Sequence, residues 1–161
     1  MNPAHLLVRG AVAATLVFVL AAPAAAADIL LKNAWMRPAR AGAPSAGVYV
    51  DIVTDVPLTL LGATSPMAKS VVIVQVDPKP DGTSDEKVVK EWKLPGAKET
   101  RFAYNGSRLD LLEIAADLRP GASVPVTLSF SEGPEKRQSI EIDVVVRGVI
   151  LPPAEPEPKA K

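Results

Sequence analysis

Cysteine is absent from this chain, and its one histidine is His5. The first absence excludes disulfides, thiolate metal sites and a cysteine on which a lipid could be carried. The second removes the commonest general base and the commonest metal ligand from everything after residue 5. Aromatic residues make up only 4% of the chain, too few for a stacking platform along a nucleic acid or a sugar chain. Neither sign of charge is in excess, because 18 Lys and Arg face 18 Asp and Glu. Bulk charge therefore points to neither nucleic acid nor an anionic membrane surface. A glycine-rich phosphate loop is also missing.

What is present begins with an address. An apolar run, AVAATLVFVLAA, follows Arg9 and leads into PAAAADIL. Basic, apolar and then small residues in that order make a secretory signal peptide, with the cut expected after Ala27. The run is short for the ~30 Å hydrocarbon core of a bilayer, so removal is expected rather than anchoring, and no membrane contact thereafter. This gives a leader at 1–27, one domain at 28–148 and a tail at 149–161. The tail, with its PPAEPEPKAK ending, is too rich in proline to pack and is expected to be extended and solvated.

The domain reads as all-β. Short β-branched runs are separated by Pro, Gly, Asn and Asp turns at near-regular intervals. Strands are expected at about 29–34, 46–54, 58–63, 70–77, 87–93, 99–104, 108–114, 123–130 and 138–147. Val124, Val126, Leu128 and Phe130 share one face, as do Ile140, Ile142, Val144 and Val146. In SVVIVQV, Val72, Val74 and Val76 line one face and Val71 and Ile73 the other. That strand is expected to be covered on both sides. Trp35 and Tyr49 are expected in the core. Strands at this spacing suggest a sandwich or a Greek-key barrel.

Enzymatic chemistry finds little support. Lys69 and Ser70 are neighbours, but adjacent strand residues point to opposite faces and make no dyad. Asp51 and Asp55 read as strand and turn residues. The unusual stretch is NGSRLDLLEI, where Leu109, Leu111 and Glu113 alternate with Arg108, Asp110 and Leu112. A cation and a carboxylate thus share one face of an apolar strand.

Four segments in order carry a family resemblance: NAWMRP (33–38), AGVYVDIV (46–53), LLGATSPMAKSVVI (60–73) and LRPGASVPVTLSF (118–130). Together they resemble the periplasmic copper chaperones of the PCu(A)C type over about residues 29–147. The resemblance implies a cupredoxin-like Greek-key β-barrel or sandwich, here of about eight to nine strands. It also implies a periplasmic protein that carries Cu(I) on two histidines and two methionines to a respiratory oxidase. Soft thioether sulfur with imidazole suits Cu(I), and a His-x-Met pair on a strand puts both ligands on one face. Carried across, the four ligand positions fall on Val74, Glu86, Arg108 and Asp110. No metal is expected there, because carboxylates are hard ligands and Arg108 repels cations. Glu86, Arg108 and Asp110 are instead expected to pair. A weaker candidate for Cu(I) is Met36 with Met67, though methionine usually fills core. Copper is thus implied by the family alone and no cofactor is expected. The expected function is a non-catalytic binding or accessory module with a periplasmic protein partner. Its alternatives are a Cu(I) chaperone with a non-standard or partner-completed site, and a structural export domain.

Overall fold

Inward-facing apolar side chains on ten strands meet in one interior in the computed structural model, which describes residues 26–148. The strands are β1 (Ile29–Met36), β2 (Ser45–Thr54), β3 (Leu58–Thr64), β4 (Ala68–Pro78), β5 (Ser84–Val89), β6 (Trp92–Leu94), β7 (Glu99–Phe102), β8 (Arg108–Ile114), β9 (Ser123–Ser131) and β10 (Arg137–Val146). The expected tail and all but the last two residues of the expected leader lie outside the described residues.

The strands form one mixed sheet in the order β5-β4-β8-β2-β1-β10-β9-β3-β6, with β7 on β2. Pairing is antiparallel except between β1 and β10. The all-β reading therefore holds, with the sheet left open at β5 and β6 instead of closed into a barrel. Strand β2 changes partner along its length. Its first half pairs with β8 and its second half with β7. The two ends of the sheet share one core, which includes Ile73, Leu109 and Leu111 from one end and Leu58, Leu60 and Leu94 from the other. Burying each of these leucines contributes about 1.5–3 kcal/mol.

Alternation predicts which face goes inward. In β9, Val124, Val126, Leu128 and Phe130 are all buried while their neighbours are half-exposed. Two expectations need correction. The single strand expected at 87–93 is two, separated at Lys90–Glu91. Strand β5 pairs with β4 and β6 pairs with β3, at opposite ends of the sheet. A run of alternating residues cannot reveal that the chain leaves one edge for the other. The strand expected to reach Tyr104 stops at Phe102, because Ala103–Ser107 closes a turn through Gly106 N–H to Ala103 O and Ala103 N–H to Ser107 O.

Strand β8 also departs from simple alternation. Leu109 and Leu111 point inward, and Glu113 would follow them. Its φ of +53° turns it outward onto Lys69, at 2.9 Å, so that Ile114 enters the core. A side chain at positive φ is strained, and here it avoids a buried carboxylate.

Candidate functional site

The four positions singled out in sequence converge on the outer face of the sheet, at the β5-β4-β8-β2 end. Cross-strand register explains why. Val74 of β4 lies opposite Arg108 of β8 on one side and Val88 of β5 on the other. Glu86 lies opposite Val76, Asp110 opposite Val72 and Gly47. Directly opposed residues share a face. Arg108 must therefore reach across β4 to meet Glu86, two strands away.

It does so with all of its polar edge. Arg108 Nη1 and Nη2 donate to the two carboxylate oxygens of Glu86 at 3.0 and 2.8 Å. Arg108 Nε donates to both oxygens of Asp110 at 3.0 and 3.2 Å. The fork of a guanidinium matches a carboxylate in this paired fashion. The register carries the arginine over Val74, which is only 5% exposed although it lies outside the core. The valine-rich strand is thus covered on both sides at its centre, Ile73 by the core and Val74 under the ion pair, while Val72 and Val76 stay half-buried.

Charge in the clasp is unevenly placed. The side chain of Asp110 is 12% exposed, that of Arg108 19% and that of Glu86 50%. The hydrogen bonds from Arg108 hold the Glu86 carboxyl below its usual range. Glu86, and after it Asp110, hold the Arg108 proton more tightly than usual, against the opposing effect of burial.

Gly47 and Tyr49 of β2 form the floor beside the clasp. A Cβ at Gly47 would stand 2.6 Å from the Tyr49 hydroxyl, so glycine lets the phenol lie along the strand. Burial, and next the Asp110 charge, raise the Tyr49 pKa above its ordinary value. Tyr49 is buried as expected, but not in the core. The ring packs on the outer face against Trp35, at 4.5 Å between centroids, and Tyr104, at 5.9 Å. Val48, Val50 and Ile52 take the inward positions of β2 instead. Ser45, Ser84, Tyr104 and Asn105 complete a polar cleft of about 480 Å³ over Arg108 and Asp110. The sequence reading missed these four residues. Only the alternation of Gly47, Tyr49 and Asp51 against Val48, Val50 and Ile52 signalled a second face.

The other sulfur candidate separates from the clasp. Met36 is fully buried in the core, and Met67 packs against that core from its rim. Among the described residues, no group of three or more His, Cys, Asp or Glu side chains is gathered to hold a metal. The donors at the clasp are carboxylates already bound to a guanidinium, which a soft monovalent cation would have to displace.

The family model described as "Putative lipoprotein LpqE-like" matches residues 29–146. The chain belongs to the LpqE-like family. A curated relative, "Putative lipoprotein Lxx21020" of Leifsonia xyli subsp. xyli, is 27% identical over 105 residues, which are 65% of this chain and 63% of that protein. The match thus spans less than two thirds of the relative's length. Among solved structures, the apo PmoF2 PCuAC domain is 25% identical at a TM-score of 0.59, over 74% of this chain and 90% of that domain. The copper-bound PCuAC domain from PmoF2 is 24% identical at 0.59, over 74% and 92%. Apo-DR1885 from Deinococcus radiodurans is 21% identical at 0.55, over 93% and 96%. This LpqE-like chain therefore has the fold of the PCuAC domains, and the PCu(A)C resemblance read from its four segments holds.

Proposed function

We propose that this LpqE-like protein is an exported, non-catalytic binding module in which an ion-pair clasp stands where PCuAC domains hold copper. The supporting observation is the clasp itself. Val74, Glu86, Arg108 and Asp110 come together on one face, as the four ligand positions of a metal site should. Yet their side chains are an aliphatic group, two hard carboxylates and a guanidinium that engages both. Soft donors are what Cu(I) selects, and none stands there.

Export is supported by the signal-peptide pattern of residues 1–27 and by the lipoprotein names of the relatives. The periplasm is the proposed compartment. The proposed role is to present the outer face, with its polar cleft, to a protein partner there. Two tests decide the copper part. Competition of the purified protein against a Cu(I) chelator is expected to show no stoichiometric binding tighter than about micromolar. Tight one-to-one binding would overturn the proposal and restore the copper carrier. The combined substitution Val74→His, Glu86→Met, Arg108→His and Asp110→Met is expected to create Cu(I) binding on the same scaffold.

A further inference from the structure

We propose that the C-terminal segment 149–161 docks back onto a row of aromatic and arginine side chains on the outer face, beside the clasp. The row is continuous. Arg147 Cζ lies 5.6 Å from the Trp35 ring centroid. Trp35 packs on Tyr49 at 4.5 Å and Tyr49 on Tyr104 at 5.9 Å. Arg37 Cζ lies 5.0 Å from the Tyr104 centroid, and Arg37 Nη1 donates to the Tyr104 hydroxyl at 2.7 Å.

Two features mark this row. Among the described residues, Arg37 and Arg147, like Arg40 and Arg137, have no carboxylate within ion-pair distance, whereas Arg101 and Arg108 each have two and Arg119 has one. It is also apolar for an outer face: Tyr104 is 50% exposed, and Val145, opposite Trp35 in register, is 45% exposed. A half-exposed tyrosine, a half-buried tryptophan and arginines without carboxylate partners are the composition of a binding surface.

Where the chain goes next names the occupant. The Arg147 amide donates to Met36 O at 2.9 Å, and its guanidinium covers Trp35. The following segment, VILPPAEPEPKAK, therefore begins at one end of the row. It offers Val149, Ile150 and Leu151, then a Pro153-x-x-Pro156 spacing with carboxylates at Glu155 and Glu157. Proline segments of this kind form stiff polyproline helices that dock in aromatic-lined grooves at small entropic cost. The carboxylates supply the partners that Arg37 and Arg147 lack. At about 3.1 Å per residue, the stretch from Val149 to Glu157 is ample to cover rings 4.5 and 5.9 Å apart. Attachment to the same chain adds an effective concentration in the millimolar range.

The test uses the chain from Asp28 to Lys161 and follows the Trp35 indole N–H and the Tyr104 ring by NMR. It is compared with the Glu155→Gln/Glu157→Gln variant and with a chain ending at Gly148, which keeps every buried core residue. The expected result is that truncation moves both signals while the strand amides stay in place. The double variant is expected to move them part-way, and a free 149–161 peptide to restore them. The peptide with both glutamines should bind the truncated chain about threefold more weakly. Trp35 and Tyr104 signals that are the same with and without the segment would overturn the proposal. So would a shift that grows with protein concentration, which would assign the row to the tail of a second copy.

Discussion

The outer face carries two arginine–carboxylate triads, and they are built to different ends. Arg108 lies between Glu86 and Asp110, and Arg101 between Glu99 and Asp51. Each holds one exposed and one buried carboxylate, since the side chains of Asp110 and Asp51 are 12% and 9% exposed. The arginines differ. Arg101 is 66% exposed and Arg108 only 19%. Asp51 also has a second donor, the Asn33 amide at 2.8 Å, whereas the side-chain hydrogen bonds to Asp110 come from Arg108 alone. A buried carboxylate with one donor depends on it, and a buried carboxylate with two does not. The clasp is thus the structural keystone of its face, and the Arg101 triad is a solvated trim.

The largest expected effect is on single removals. Arg108→Met should destabilise the domain by about 2 kcal/mol, because it leaves Asp110 buried without a donor. Arg101→Met should lower the unfolding midpoint far less, since Asn33 still serves Asp51 and water reaches the rest. Urea unfolding of the two variants side by side measures the contrast, and equal losses would erase the distinction drawn between the triads. The next effect is rescue. Replacing both partners, Arg108→Leu with Asp110→Leu, should recover most of what Arg108→Met loses, as apolar groups replace a buried charge pair. A double variant no more stable than the single one would mean that Arg108 acts by covering Val74 instead.

The smallest effect is in acid. The Glu86 carboxyl is held below its ordinary 4.5 by Arg108, so its contribution is present above pH 4.5. It is lost as the pH falls through the lowered folded value. Glu86→Gln should flatten that part of the stability profile and leave neutral pH little changed. A carboxyl titration of Glu86 by NMR at or above 4.5 would contradict the clasp geometry.

Much of this site was legible before the fold was known. Arg108 and Asp110 sit two residues apart on one strand, so a period of two already puts them on one face. That Val74, Glu86, Arg108 and Asp110 stand at the positions the resemblance assigns to His and Met ligands is likewise a matter of order along the chain. The partnership with Glu86 was not legible to the same degree. Its position lies beyond a turn, where one residue more or less flips every side chain to the other face. The register of β4 with β5 settles that count, and it is a property of two strands rather than of either one. Trp35, Tyr49 and Tyr104 were hidden for a related reason. An aromatic residue in an apolar strand reads as core until the inward face is known to be full.

The chain on its own determined its alternations, its turns and the chemical character of every donor, because these depend on residues a few positions apart. Tertiary structure alone decided that the run at 87–93 divides between two edges, that β2 shares its length between β7 and β8, and that an arginine crosses one strand to reach a glutamate on the next. Those outcomes depend on which distant segments pair, and pairing is chosen by the burial of a whole face at once.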